Sequence, residues 1–210
     1  MDKKLIQYLE EMNEQEERIL RENRPVLSYY TKGEGSTVVD AGITMRPMTL
    51  IDLLKQPRFV PLPRHTHNYM ELVYMCSGST THVINEETQI TLQEGELLFL
   101  QQGTSHSVSA AGYHDIAVRF MIRPAFLQYP LSMLREDTVL RRFIQRAAED
   151  VPREGDFLQF HIGDMPEAKN LLENMTRMLL NRRRNSRQIL QATMGVLLLE
   201  LSGRTYKITV

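Results

Sequence analysis

Between residues 37 and 122 the sequence alternates short runs rich in Val, Ile, Thr, Tyr, Phe and Leu with turn residues. The runs are TVVDAGITM, RFVPL, YMELVYMC, TTHVI, QITL, ELLFL, HSVSA and DIAVRFMI. Strands at such regular spacing favour an antiparallel sandwich or barrel over a parallel sheet with crossover helices. A hydrophobic content of 42% is sufficient for a proper core and weighs against intrinsic disorder.

Helical patterns flank this β-rich region on both sides. Residues 1–24 are highly charged, with apolar positions at helical spacing, and predict a loosely attached amphipathic helix. The expected barrel spans residues 25–123, and a helical region with a hairpin spans residues 124–210. The predicted fold class is therefore mainly β with α, in the order helix, antiparallel β-barrel and antiparallel helix hairpin.

The carboxyl-terminal region contains three predicted helices, over residues 137–150, 165–182 and 186–202. The last two carry apolar stripes, and the short polar NRRRNS between them indicates an antiparallel hairpin. Val196 and Leu199 add a second apolar side to the last helix, which predicts a homodimer seam through the 165–202 hairpin. The alternative is that the hairpin only covers the barrel. The basic cluster in the connection is interpreted as a solvated turn and comprises Arg182, Arg183, Arg184 and Arg187.

The stretch RHTHNYMELVYMCSG, residues 64–78, carries the main chemical signal. His65, His67 and Glu71 are separated by two and four positions, so an unbroken strand aims all three side chains the same way. His106, in GELLFLQQGTSH, begins a later strand and is a fourth candidate. Imidazoles and a carboxylate in the lumen of a small barrel suit zinc, iron, manganese or nickel. These four residues are therefore candidate ligands of a divalent transition metal.

This pattern resembles the two sequence motifs of the cupin family. The first motif matches in full, as His65, His67, Glu71 and Gly78, and the second matches at Gly95, Gly103 and His106. The sequence departs from the second motif at Gln101, where the family usually has proline, and at Ala110, where it usually has asparagine. The resemblance implies a small antiparallel barrel, the double-stranded β-helix.

The segments that follow the barrel in the sequence restrict the resemblance to one group of cupin-like proteins. The barrel followed by FLQFHIGD and by helices of the type NLLENMTRMLLN and LQATMGVLLLEL resembles the N-terminal half of AraC-type transcription regulators, over about residues 58–202. The resemblance implies a barrel that senses a small molecule, such as a sugar or a small acid, and a helix pair that dimerises. The family contacts DNA through a C-terminal helix-turn-helix region, for which the final SGRTYKITV has no room. We therefore expect a sensory fragment of a longer regulator, with a stand-alone sensor domain as the alternative.

Two further side chains are candidate effector contacts. Tyr69 is an even number of residues from His65, His67 and Glu71, which places it on the same face of a strand, where it could stack on a sugar. Arg119 lies in DIAVRFMI and could bind a carboxylate. Core filling and a surface ion pair are the respective alternatives. The expected ligand-binding set comprises His65, His67, Tyr69, Glu71, His106 and Arg119. His82 has no firm placement, Cys76 is expected to be a buried structural thiol, and His114 and His161 are expected at the surface.

Composition narrows the functional classes. The net charge of −1 lacks the basic surplus of a dedicated nucleic-acid-binding domain. One cysteine excludes an intrachain disulfide and indicates a reducing compartment. The N-terminus lacks the apolar core of a signal peptide, and no apolar run approaches the roughly 20 residues that span a membrane. We expect a cytoplasmic protein without a membrane partner.

Two other functions remain open from the sequence. A metal-dependent cupin enzyme, such as a dioxygenase or a sugar isomerase, has the full ligand set in its favour. The helical third of the chain and the lack of an obvious second acid or base in the pocket strands argue against it, so no catalytic residue is assigned. A sugar-binding module without metal or catalysis is the other alternative.

Overall fold

The computed structural model describes residues 1–22, 26–33, 35–149, 156–181, 186–203 and 208–209, so the predicted cluster at Arg182–Arg184 lies outside the described residues. The helices are α1 (Lys3–Glu10), α2 (Glu14–Glu22), α3 (Ala41–Thr44), α4 (Pro124–Met133), α5 (Val139–Ala148), α6 (Pro166–Leu180) and α7 (Arg187–Ser202), with a 3-10 turn at Val26–Tyr29. The strands are β1 (Val38–Val39), β2 (Ile51–Lys55), β3 (Leu62–His67), β4 (Met70–Ser77), β5 (Ser79–Ile84), β6 (Thr88–Gln93), β7 (Glu96–Leu100), β8 (His106–Val108), β9 (Ile116–Ile122), β10 (Phe157–His161) and β11 (Ile208–Thr209). Within the described ranges, every helix is too short or too polar to traverse a lipid bilayer.

The strands form two sheets. One has five strands in the order β1-β3-β8-β5-β6, and the other has six in the order β11-β10-β7-β4-β9-β2. The described strand pairs are antiparallel, except that β1 pairs with β3 in parallel. This architecture confirms the predicted fold class, a cupin-like arrangement of antiparallel strands followed by helices.

Strand β4 shows how the sequence divides the core into two parts. Leu72, Tyr74 and Cys76 point to the outer side of the six-stranded sheet, where they join the core cluster formed with the helices. Val73 and Met75 point to the inner side and join a cluster with residues of the five-stranded sheet. Both faces of this strand are buried, which explains its continuous apolar character. Cys76 is buried, as the sequence predicts.

The glycines of the cupin-like motifs lie at strand ends. Gly78, Gly95 and Gly103 have φ angles of 71°, 82° and 83°, a region that side chains with a Cβ rarely adopt. At Gly78 a Cβ would also lie 2.2 Å from Oδ1 of Asp115, whose carboxylate accepts a hydrogen bond from the Ser79 amide. All three turns therefore favour glycine on conformational grounds, and the turn at Gly78 also requires it on steric grounds.

Two of the predicted strands are shorter than expected. In TVVDAGITM only Val38–Val39 is extended, because Asp40 caps the short helix α3 by accepting a hydrogen bond from the Gly42 amide at 2.6 Å. In RFVPL the strand begins only at Leu62, after a bend in which Phe59 has a φ of 71°. A cap and a turn thus override β propensity at these positions.

The amino-terminal segment forms two helices and is firmly packed, so the expectation of one loosely attached helix was wrong. The break lies at Asn13, whose side chain accepts a hydrogen bond from the Glu16 amide while Glu16 accepts one from the Asn13 amide, a reciprocal capping box. Leu5 and Leu9 of α1 are buried in the core cluster with the helices, and Ile19 of α2 is buried beside the barrel.

The carboxyl-terminal helices follow the prediction closely, with one interruption. Helices α5, α6 and α7 begin and end within a few residues of the predicted ranges, and α6 packs on α7. The exception is β10, which interrupts the predicted helical region and pairs with β7 of the six-stranded sheet. Helix α7 also packs closely on α4, where a Cβ at Gly195 would lie 2.1 Å from the sulfur of Met133.

Candidate functional site

Four strands bring the predicted polar side chains together between the two sheets. Strand β3 carries His65 and His67, β4 carries Glu71, β8 carries His106 and β9 carries Arg119. His65 and His106 are direct partners in the β3–β8 register. All five side chains are buried, and they form a single polar cluster in the interior.

The reason for this convergence differs from the sequence argument. The chain leaves β3 after His67 and enters β4 at Met70, so an unbroken strand does not join the histidines to Glu71. Strand β3 belongs to the five-stranded sheet and β4 to the six-stranded sheet. Asn68 and Tyr69 form the crossing between them. The side chains meet because the inner faces of the two sheets oppose each other.

The histidine nitrogens converge on one point. The Nε2 atom of His106 lies 2.8 Å from Nε2 of His65 and 3.2 Å from Nε2 of His67. One ligand atom from each of the three histidines lies within 4.8 Å of the others. The Oε2 atom of Glu71 is 3.4 Å from Nε2 of His67 and 3.9 Å from Nε2 of His106. Glu71 therefore borders the triad.

The chemistry of the three histidines suits a metal ion. Metal–nitrogen bonds of about 2.0–2.1 Å place two imidazole ligands roughly 3 Å apart, close to the separations found here. Nδ1 of His65 donates to the Pro63 carbonyl oxygen at 2.8 Å, which leaves the Nε2 lone pair directed at the cluster. Burial lowers the pKa of His65 to about 3 and holds the pKa of His106 well below its usual value. Both rings are therefore neutral, the form that binds metal ions.

Glu71 and Arg119 form a loose charge pair beside the triad. Burial opposes ionisation of Glu71, but His67 and the Arg119 guanidinium outweigh it and lower the pKa of this carboxyl to about 2. Nη1 of Arg119 lies 3.5 Å from Oε1 of Glu71, longer than a good hydrogen bond. The guanidinium carbon of Arg119 lies 5.9 Å from the ring centroid of Tyr30. Arg119 is thus a buried cation inside the barrel and not part of a surface ion pair.

Tyr69 lies at the edge of the cluster. Its ring stacks on the His67 imidazole with 5.1 Å between centroids and 24° between planes. Tyr69 is buried among Tyr30, Met121 and neighbouring apolar residues. Its ring therefore supports the orientation of His67.

Two residues of the site were not identified from the sequence. His82 on β5 is buried, its ring centroid lies 5.8 Å from that of His106, and burial lowers its pKa to about 4. The alternation of β5 places His82 on the same side as Thr80 and Ile84. Its even spacing from the apolar Ile84 was therefore the sequence feature that could have predicted its burial. Tyr30 follows the 3-10 turn, outside the barrel strands, and no sequence pattern pointed to it. His114 and His161 lie at the surface as predicted.

The cluster contains many buried polar atoms that lack partners. Among the described residues, no hydrogen bond reaches Nε of Arg119, the Tyr30 hydroxyl or either carboxylate oxygen of Glu71. The same holds for Nδ1 of His67, His82 and His106. Each such group costs about 1–3 kcal/mol when it is left unsatisfied. A concentration of them in one place is the signature of a site built for a partner.

A pocket of about 590 Å³ opens beside this cluster. It is lined by Arg64, His65, Thr66, Glu87 and Ser105, among others, so His65 belongs to both the pocket and the buried cluster. Nε of Arg64 donates to the Ser105 hydroxyl at 2.8 Å, and Arg64 also pairs with Glu86 across the rim. The pocket connects solvent to the outer side of the histidine triad.

Solved structures show the same fold in a longer protein. A variant of apo ToxT from Vibrio cholerae superposes with a TM-score of 0.53 at 12% identity, covering 76% of this chain and 58% of that chain. ToxT bound to (E)-4-(8-methylnaphthalen-1-yl)but-3-enoic acid gives a TM-score of 0.50 at 12% identity, covering 75% and 57%. The chain thus spans a little more than half the length of these proteins.

Sequence comparisons give the family. A search of curated proteins returned no match. The family model described as the AraC-like ligand binding domain matches residues 56–197, which include the barrel strands from β3 to β10 and most of the helix hairpin. The chain belongs to the family of AraC-like ligand binding domains.

Proposed function

We propose that this domain senses a small carboxylic acid, which binds between the two sheets at Arg119 and the histidine cluster. The family supports an effector-sensing role in an AraC-type transcription regulator. The observation that carries the choice of ligand is the buried guanidinium of Arg119, whose Nε has no hydrogen-bond partner among the described residues. The proposed ligand-binding residues are His65, His67, Tyr69, Glu71, His106 and Arg119, to which the geometry adds Tyr30 and His82.

The donors around Arg119 match a carboxylate better than a sugar. An arginine presents its N–H groups as a planar fork that binds a carboxylate through two parallel hydrogen bonds. The Tyr30 hydroxyl lies beside it, and burial raises the pKa of Tyr30 to about 12, so this group keeps its proton and can donate. A neutral sugar would offer the guanidinium no charged acceptor beyond the loosely paired Glu71 carboxylate. The acid ligand carried by ToxT in one solved structure is of the same chemical class.

The pocket beside His65 is the proposed route of entry. Its rim carries the exposed side chain of Arg64, which would have to exchange its partner Glu86 for an incoming anion. From there a ligand reaches Arg119 by displacing the ring of His65, which lies between the pocket and the rest of the cluster. Binding then changes the packing of the barrel strands, and the change is passed to the helices on the outer sheet face.

Isothermal titration calorimetry with acetate, butyrate, octanoate and benzoate tests this proposal, with the corresponding amides as neutral isosteres. We expect at least one acid to bind and its amide to bind at least tenfold more weakly, because charge-assisted hydrogen bonds are worth roughly 1.5–3 kcal/mol. Arg119→Met should abolish this preference. Arg142→Met, which removes an exposed arginine of α5, is the matched control. Acid binding that survives Arg119→Met, or selective binding of arabinose or glucose, contradicts the proposal.

We also propose that α6 and α7 form the seam of a homodimer. Ile189, Val196 and Leu199 on α7 are 47%, 39% and 43% exposed although the opposite side of the helix is buried. In this view the remaining length of the relatives supplies the DNA-binding region. Analytical ultracentrifugation should show a dimer that Val196→Glu with Leu199→Glu converts to a monomer. Met48→Glu, at a fully exposed position, is the control and should remain a dimer. A wild-type protein that is monomeric contradicts the proposal.

A metal-dependent cupin enzyme is the second candidate, and the histidine triad is the observation that favours it. The three histidines could hold a divalent ion such as zinc, iron, manganese or nickel, and Glu71 would complete the set. Such an ion supplies a Lewis acid that polarises a bound oxygen. Metal analysis of untagged protein beside a His106→Ala variant tests occupancy. The enzyme interpretation would be favoured over sensing if the wild type held one equivalent of metal that the variant lacks. It also requires that the protein convert a bound acid into a product.

A further inference from the structure

We infer that a divalent metal ion and a small carboxylate bind this site cooperatively, because each of them takes one partner from the internal Glu71–Arg119 pair. The inference rests on the proposed carboxylate site and adds a second ligand and a linkage between the two. The shared element is Glu71, whose Oε2 faces the histidines while its Oε1 faces Arg119.

The charges of the buried cluster weaken the binding of either ligand by itself. The Glu71 carboxylate and the Arg119 guanidinium are the opposite charges of the cluster, with 3.5 Å between Oε1 and Nη1. A divalent cation added alone would leave two uncompensated positive charges in a buried site. A carboxylate added alone would lie next to Glu71 and be repelled by it. When both bind, the carboxylate offsets half of the charge that the divalent cation adds.

The geometry of Glu71 gives the same result. Metal–ligand bonds of about 2.0–2.2 Å place two ligand atoms roughly 3 Å apart, so Oε2 of Glu71, 3.4 Å from Nε2 of His67 and 3.9 Å from Nε2 of His106, is already close to a ligating position. Ligation would commit the single negative charge of Glu71 to the metal ion and so weaken its 3.5 Å contact with Arg119. The guanidinium then needs another anion, and a carboxylate effector supplies it. In the reverse order, an acid on Arg119 releases Glu71 for the metal ion.

Arg119 is positioned to act on Glu71 by the sheet register. It lies opposite Val73 in the β4–β9 pairing, two residues from Glu71 on the same side of β4. Its Nε has no hydrogen-bond partner within the described part of the chain, so an additional acceptor can bind without breaking a bond there. Arg119 is thus a positioning residue for Glu71 and a binding residue for the acid.

Co²⁺ titrations with and without butyrate or benzoate test the linkage, because both acids chelate free Co²⁺ weakly and the visible absorption of Co²⁺ reports its ligands. In the wild type we expect the acid to raise Co²⁺ affinity by about 5- to 150-fold, the usual range of coupling between two sites. Co²⁺ must raise acid affinity by the same factor, since linkage is reciprocal. Butyramide and benzamide should leave Co²⁺ affinity unchanged.

Arg119→Met separates this mechanism from simple coexistence of two ligands. The variant should bind Co²⁺ more tightly than the wild type without acid, and its coupling factor should fall to about one. Arg142→Met is the control for the loss of a positive charge. Arg119→Lys replaces Arg119→Met if that variant does not fold, because lysine keeps the positive charge but lacks the paired N–H donors of a guanidinium. It should bind Co²⁺ as weakly as the wild type without acid, and the acid should no longer raise its Co²⁺ affinity.

The possible outcomes separate the two proposals. Acid binding with no change in Co²⁺ affinity, or an equal coupling factor in Arg119→Met, overturns the inference and leaves the carboxylate site standing. Failure of Co²⁺ to bind under either condition also overturns the inference alone. Failure of every acid to bind, with and without Co²⁺, overturns the proposed function as well.

Discussion

Glu16 and Glu71 are both buried carboxylates beside a buried arginine, yet their surroundings differ. Oε1 of Glu16 accepts a hydrogen bond from Nε of Arg58 at 2.7 Å, and Oε2 lies 2.5 Å from Nζ of Lys55. The contacts of Glu71 with its charged neighbours are 3.4 Å or longer, and its oxygens have no hydrogen-bond partner among the described residues. A closed network of charges stabilises a fold, whereas an open one is available for a ligand.

The remaining donors of the first network are also satisfied. Arg58 donates to the carbonyl oxygens of Glu10 and Tyr113, and Lys55 donates to those of Leu9 and Glu11. Several of these carbonyls lie at the end of α1, where positive side chains interact favourably with the helix dipole. The network of Glu16, Lys55 and Arg58 therefore fastens the amino-terminal helices to the barrel.

Removing Glu16 should have the largest effect on stability. Glu16→Ala leaves Lys55 and Arg58 buried without their counterion, and we expect the free energy of unfolding to fall by about 3–5 kcal/mol. Urea denaturation followed by circular dichroism measures the change. Glu14→Ala, at an exposed position of the same helix, should alter stability by less than about 0.5 kcal/mol. Similar values for the two variants would show that the network is not structural.

The second cluster should respond in the opposite direction. Replacing Glu71 and Arg119 together by methionine removes an ion pair with unsatisfied atoms, and we expect stability to stay the same or to rise by about 1–2 kcal/mol. The same denaturation experiment applies, and the double variant should bind none of the acids. A loss as large as that of Glu16→Ala would mean that both clusters serve stability.

Acid titration should show the contribution of the Glu16 network as a smaller effect on stability. Burial of Glu16 opposes ionisation, but hydrogen bonds from Arg58 and Lys55 outweigh it and lower its pKa below the usual 4.5. A carboxyl with a lowered folded-state pKa stabilises the fold above its unfolded pKa and loses that contribution as the pH falls. The stability difference between wild type and Glu16→Gln should therefore be constant above about pH 5 and shrink below about pH 4. A difference that is independent of pH contradicts this assignment.

The elements of the site were predictable to different degrees. Even spacing placed His65, His67 and Glu71 together correctly, although the chain changes sheets between His67 and Glu71. That outcome depended on two inner faces meeting, which spacing along one strand does not encode. His82 could have been assigned from its alternation with Ile84, whereas Tyr30 enters the site from a turn that only tertiary packing defines.

The fold shows the same division between local and tertiary information. Apolar runs identified most strands and the last three helices, because periodicity reflects burial directly. The role of Glu16 was hidden in a charged stretch that reads as solvent-exposed, since its partners lie about forty residues away. Likewise β10 lies among helices in the sequence and joins the sheet only through its pairing with β7.

The buried thiol of Cys76 makes the molecule suitable for site-specific spectroscopy. Burial raises the pKa of this group far above its usual range, and it is the one cysteine of the 210 residues. Maleimide and spin-label reagents will therefore leave it unmodified in the folded protein. A cysteine introduced at exposed Gln188 on α7 or at Tyr113 beside the barrel becomes a unique attachment point. Distances between such probes can then report how ligand binding in the barrel moves the hairpin.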